Sequence, residues 1–131
     1  MEEYEIVKQI YQTLEEEGLI GCVKKFFGVG TVVKIPFIES ACNTPIEDLN
    51  FSVRSYNCLK RGNINTVGQI IDVMQKDGLL HIRNLGKTSR AEIHYKTYEF
   101  GYKCLDERRK KEFAKTLYEL NKLKYLLHND W

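Results

Sequence analysis

Apolar positions recur at spacings of three and four along most of this chain, the period that gathers them on one side of a helix. Residues 2–17 place Tyr4, Val7, Ile10, Tyr11 and Leu14 on one face, and Gly18 stands where that helix should end. The stretch "LIGCVKKFFG" adds a short second helix. "TVVKIPFIE" breaks the pattern: its β-branched residues and proline read as an extended segment or edge strand. A boundary falls near residue 43.

Beyond that boundary the helical signals sharpen. Ser52 is a good N-cap for a helix from Val53 to about Lys60. Val53, Tyr56 and Leu59 then face a core, while Arg54, Asn57 and Arg61 form an adjacent polar stripe. Gly62-Asn63 breaks this helix. Thr66 and Gln69 make a capping box for "VGQIIDVMQK", whose apolar side is Val67, Ile70, Ile71 and Met74 and whose stop is Gly78. A turn, "LLHIRNLG", leads into a helix from Lys87 to about Glu99. Asp106 caps a last element, in which Phe113, Leu117, Leu120, Leu123 and Leu127 repeat at helical spacing until about Asn129.

The prediction is a mostly all-α protein, a compact helical bundle with flanking N- and C-terminal helices and at most one small strand. Three segments follow: an extension over 1–43, a core over 44–103 and an amphipathic C-terminal helix over 104–131. The leucine stripe of the last segment packs either on the first helix or on a second copy, so a homodimer through the terminal helices stays open.

Length and charge narrow the picture. A chain of 131 residues buries roughly two-thirds of its unfolded surface, enough for a core without staples. No apolar run approaches the ~20 residues of a membrane span, and "MEEYEIVKQI" is too acidic for a signal peptide. A cytoplasmic protein with no membrane partner is expected. Cys22, Cys42, Cys58 and Cys104 form no CxxC pair and His81, His94 and His128 are scattered, so free thiols are expected rather than a zinc site. Net charge is only +2 but uneven. Residues 1–43 carry four basic and seven acidic side chains, residues 44–103 nine and six, and residues 104–131 seven and five. A basic later part favours an anionic partner.

Gly86-Lys87-Thr88 looks like the tail of a nucleotide-binding loop, but the glycine needed five residues earlier is His81. Gly28-Val29-Gly30 lacks a third glycine. No nucleophile–base pair, metal cluster or cofactor fingerprint is visible, so neither an enzyme nor a bound cofactor is expected. What "RNLGKTSRAEI" does contain is a glycine turn opening a helix whose first residues are Lys87, Thr88 and Ser89. Bare N–H groups and the positive end of the helix dipole bind anions there. The basic run Arg108-Arg109-Lys110-Lys111 is left open between an external anion, a solvated face and a later helix start.

The pieces "VRSYNCLK", the glycine in "TVGQII" and "NLGKTSRAEI" occur in an order and separation that resemble the C-terminal domain of the bacterial RNA polymerase alpha subunit, over about residues 44–101. The resemblance implies a compact domain related to helix-hairpin-helix modules that docks on A/T-rich minor grooves upstream of promoters. It assigns the groove-reading arginine to Arg54, supported by Asn57, Cys58 and Lys60. It assigns phosphate contacts to Gly86, Lys87 and Ser89, with Glu92 behind. A narrow groove has enhanced negative potential, which suits a guanidinium.

Departures from the family pattern are Thr88 in place of a second lysine, and Lys96 and Thr97 in place of apolar residues. The acidic surface that in the family touches sigma factor survives as Glu47 and Asp48, interrupted by Asn50. The 43 preceding residues are too few for the family's assembly domain, so the expectation is a stand-alone, nucleoid-associated relative that binds double-stranded DNA in transcription or its regulation. The alternative is a protein-interaction module engaging polymerase, sigma factor or a regulator, with the terminal helices as the docking surface. Glu47, Asp48 and Glu92 are then the possible protein contacts, and Glu47 and Asp48 matter more than Arg54.

Overall fold

The computed structural model describes residues 2–30, 33–36, 41–80 and 82–129. Its elements are helix α1 (Glu3–Phe27), a short 3-10 helix (Ile46–Leu49), α2 (Val53–Arg61), α3 (Val67–Asp77), α4 (Lys87–Lys103), α5 (Glu107–Leu120) and α6 (Lys122–Asn129). Among the described residues there is no strand, only an isolated antiparallel bridge between Pro45 and Thr66. Of the segment expected to be extended, residues 33–36 are described and lie outside any regular element; the rest falls outside the described residues. The protein divides into two compact units, one made of residues 1–37 with 105–131 and the other of residues 38–104. Periodicity separates the two ends into distinct segments; in the structure they are one body.

In the unit built from the two ends, α1 lies along α5, with Glu15 reaching Lys110 at 3.6 Å. Gly18 interrupts α1 with φ 79° and ψ 179°, so "LIGCVKKFF" is a second helical limb, as the glycine placement implies. Of the predicted stripe Ile10 and Leu14 are buried, joined by Ile6 and Thr13, whereas Tyr4 is exposed and Val7 and Tyr11 are half-buried. Two features misdirect the pattern. Tyrosines tolerate water at one end, and Thr13 is buried because its hydroxyl donates to the Gln9 carbonyl at 2.9 Å. Cys22 is fully buried, and burial pushes its thiol up to about 12.

The last element is also broken where the leucine repeat reads as continuous. α5 ends at Asn121, whose buried side chain accepts from the Lys34 N–H and donates to the Lys34 and Leu117 carbonyls, each at 2.8 Å. α6 then turns Tyr125 inward against Tyr118 (5.4 Å) and Phe26 (6.3 Å), while Asn129 donates to the Phe26 carbonyl at 2.6 Å. Phe113 and Leu117 are buried as expected, but Leu120, Leu123 and Leu127 are exposed.

The second unit follows its caps. Ser52 accepts from the Ser55 N–H, Thr66 and Gln69 form the reciprocal capping box, and Gly78 takes the left-handed conformation that ends α3. At the end of α2 the left-handed residue is Asn63 (φ 60°), not Gly62 (φ −85°). Ile46, Leu59, Ile64, Ile70, Leu79 and Ile93 fill the centre, and Ala41, Leu49, Val67 and Ile71 form a smaller cluster. Gly68 is required by packing: a Cβ there would lie 2.9 Å from the Cys42 carbonyl oxygen, which accepts from the Gly68 N–H. α4 runs four residues beyond its expected end, and its polar Thr97 is accommodated by donating to the Ile93 carbonyl at 2.6 Å. No described helix is long and apolar enough to cross a membrane.

Candidate nucleic-acid interface

The site is assembled from the N-terminal ends of α2 and α4, which two sets of contacts fasten together. On one side the Glu92 carboxylate accepts from the Ser52 N–H (2.9 Å), the Ser52 hydroxyl (2.7 Å) and the Ser55 hydroxyl, and pairs with Lys96 at 3.0 Å. Lys96 in turn donates to the Asn50 carbonyl at 2.8 Å. On the other side the Cys58 thiol donates to the Asn84 carbonyl at 3.7 Å. Partial burial pushes the Glu92 carboxyl up, but the Ser55, Ser52 and Lys96 donors outweigh it and leave the group at about 2.

This bracing decides which face of α2 is presented. Ser55, Cys58 and Leu59 point inward, and Val53 is 77% exposed, so the core face is rotated from the predicted Val53–Tyr56–Leu59 line. The physical reason is that the inward serine is held by a carboxylate, a polar contact that apolar periodicity does not register. Arg54 and Asn57 are exposed, as is Arg61, whose Nε donates to the Asn57 carbonyl at 3.4 Å. At about 100° per residue these three share one face with Cys58, so they border the Asn84 turn that Cys58 touches.

In that turn Asn84, not the glycine, adopts the left-handed conformation (φ 63°). Gly86 has φ −74° and ψ 169°, open to any residue, and an added Cβ would meet nothing within 4 Å. The fold therefore has no internal need for Gly86. The first N–H groups of α4, at Lys87, Thr88 and Ser89, find no acceptor among the described residues, and the Arg90 N–H is the first to bond back, to Gly86. Lys87 and Thr88 are exposed.

Other predicted residues are placed elsewhere or are otherwise engaged. Cys58 is 1% exposed and Ser89 7%, so neither side chain lies open to a large partner. Lys60 is engaged within the fold, pairing with Glu47 at 3.0 Å, donating to Asn65 at 2.8 Å and lying over the Tyr56 ring. Glu47, which Tyr56 and Lys60 hold down to about 2, is exposed with both donors in place. Glu92 is a brace within the fold rather than a free acidic contact. Asp48 is exposed on the 3-10 helix. Two further cations border the site without standing in the family motif. Arg61 is signalled by its spacing of seven from Arg54, and Arg83 by standing next to the turn. In the basic run Arg108 pairs with Glu112, Lys110 with Glu15 and Lys111 with Glu107.

The described arrangement is a small all-helical module in which two helix starts are cross-linked and one of them is left bare beside a row of exposed cations. Residues 36–99 match the family described as the C-terminal domain of the bacterial RNA polymerase alpha chain. Over that stretch, 64 of its 131 residues, the protein is similar to this family. The DNA-directed RNA polymerase subunit alpha of Carboxydothermus hydrogenoformans is 51% identical over 63 residues, covering 48% of this chain and 20% of the relative. That of Corynebacterium diphtheriae is 51% identical over 67 residues, covering 51% and 20%. That of Rubrobacter xylanophilus is 53% identical over 58 residues, covering 44% and 18%. The match thus spans about one fifth of the length of these relatives. No solved structure matches the protein significantly.

Proposed function

We propose that residues 38–104 form a DNA-binding module acting in transcription or its regulation, and that the protein binds rather than catalyses. Its relatives are named as subunits of DNA-directed RNA polymerase, which supports a place beside that enzyme, in the cytoplasm and on the nucleoid. Arg54 enters an A/T-rich minor groove, Asn57 and Arg61 line its edge, and the start of α4 receives a backbone phosphate. Lys87 adds Coulomb attraction without base preference.

The observation that carries this reading is the gratuitous glycine. Gly86 is neither strained nor crowded from within, so the missing Cβ serves something that approaches from outside, at the spot where three N–H groups are bare. A phosphate oxygen fits both properties. Glu47 and Glu92 already have internal donors, which counts against acidic docking as the main task.

Fluorescence anisotropy with an A/T-rich duplex tests the proposal. Arg54→Ala should weaken binding by ~1–3 kcal/mol, and log Kd should depend on log salt with a slope of ~0.9 per phosphate contact. Equal affinity of the two proteins at moderate salt would remove Arg54 from the interface.

A further inference from the structure

The nine basic side chains of residues 38–104 fall into two groups. Lys60, Lys76, Lys96 and Lys103 each pair with a carboxylate, at 3.0 to 3.6 Å. Arg54, Arg61, Arg83, Lys87 and Arg90 pair with none among the described residues. Place sorts them: every bare cation lies on the Arg54–Arg61 face of α2, in the turn before α4 or in the opening turn of α4. Within this set Arg90 is anomalous. It is half-buried where the other four are exposed. One Nη donates to the Leu85 carbonyl at 3.4 Å, while Nε is enclosed with no acceptor among the described residues. Both features cost stability. A buried N–H without a partner forfeits its hydration, and a cation in the opening turn opposes the helix dipole. The Leu85 bond lies beyond the usual range of N–H to oxygen distances, so it is a poor offset. Glu92 is no help either: two residues on, it projects from the opposite side of α4 and is taken up by Ser52, Ser55 and Lys96.

We propose that Arg90 is a further DNA-contact residue, its guanidinium taking a backbone phosphate beside the start of α4. The inference rests on the DNA-binding reading and adds to it a residue that the family motif does not contain. A guanidinium uncompensated in the free protein is compensated once an anion arrives, which is why the fold tolerates it. Its anchorage on Leu85 holds the planar fork in place beforehand, so less side-chain freedom is lost on binding than for the exposed Lys87. Partial burial also strengthens a charge-assisted contact relative to one made in open water. Arg90 and Gly86 act differently at the same place. The glycine removes an obstacle, whereas the arginine supplies a charge, and only the second leaves a mark on the salt dependence.

Anisotropy titrations of the full-length protein with an A/T-rich duplex, repeated between about 50 and 200 mM salt, test it beside thermal melts of the same samples. Arg90→Leu keeps an apolar stem and removes both the charge and Nε. It should melt at or above the wild-type Tm, raise the duplex Kd about tenfold and lower the slope of log Kd against log salt by ~0.9. Arg90→Lys keeps the charge without the fork, so it should hold the wild-type slope and recover part of the affinity. An Arg90→Leu protein with wild-type affinity overturns the proposal. So does one with a lowered Tm, weakened binding and an unchanged slope, which would make Arg90 a strut for Leu85 and nothing more. Binding that is weakened in Arg54→Ala but untouched in Arg90→Leu strikes this proposal and leaves the DNA-binding reading standing. A wild type that fails to bind the duplex at the lowest salt strikes both.

Discussion

The Glu92 carboxylate takes both the backbone N–H and the hydroxyl of Ser52, 40 residues away in sequence, at 2.9 and 2.7 Å. One side chain on α4 therefore sets where α2 begins and, through that, where Arg54 is carried.

The pH dependence of this brace follows from its sign. The Glu92 carboxyl sits at about 2 in the fold against 4.5 ordinarily. Its stabilisation is therefore complete above about pH 4.5 and is lost as pH falls toward 2. Thermal melts between these limits should show the wild type losing stability faster than Glu92→Gln. The variant should be less stable at neutral pH by about 2 kcal/mol. Glu47, also held at about 2, should account for part of the slope that remains in the variant. A Glu92→Gln protein with the wild-type acid profile would remove the brace from the account.

Two glycines should respond in opposite ways. Gly86→Ala should leave the melting temperature unchanged or slightly raised, because its φ and surroundings admit a methyl group. It should weaken duplex binding by at least ~1 kcal/mol, the cost of holding a phosphate off the bare N–H groups. Melting and anisotropy on one sample separate the two effects, and unaltered affinity would return Gly86 to the status of a plain helix start.

Gly68→Ala should destabilise the same unit by ~1–3 kcal/mol, since a Cβ 2.9 Å from the Cys42 carbonyl forces backbone apart. Denaturant titration reads this directly. Binding by the fraction still folded should be unaffected.

In the other unit, Asn121→Ala strips the Lys34 N–H and carbonyl of their partner and should cost ~1–3 kcal/mol. Asn121→Asp should cost a similar amount, because a carboxylate can accept from the N–H but cannot donate to the carbonyl. Chemical denaturation of both variants checks the pairing, and a neutral Asn121→Ala would show that water replaces the side chain without penalty.

How much of the fold and site is legible in the sequence depends on the kind of contact. Caps are local, so Ser52, Thr66 with Gln69, Gly78 and Asp106 announce their helices correctly. The order of motifs leads to the family over residues 44–101, where the match spans 36–99. What stays hidden is long-range and polar. Nothing local shows that Glu92 reaches Ser52 and Ser55, so periodicity gives Val53 to the core and the protein-interaction alternative gives Glu92 to an outside partner. Nothing local shows that Asn121 leaves its helix for Lys34, so α5 and α6 read as one. The role of Gly86 is half visible: its place at a helix start is evident, but that the fold itself does not demand it is known only from the empty space around it.

The two units also differ in how they are threaded. Residues 38–104 are contiguous, whereas α1 has as its partners α5 and α6, far along the sequence. During synthesis the middle can close while Ile6, Ile10 and Leu14 still lack the surface that covers them. Loop-closure entropy has to be met before those contacts reward it. Loss of the last residues would thus unfasten the first helix while leaving the central module whole.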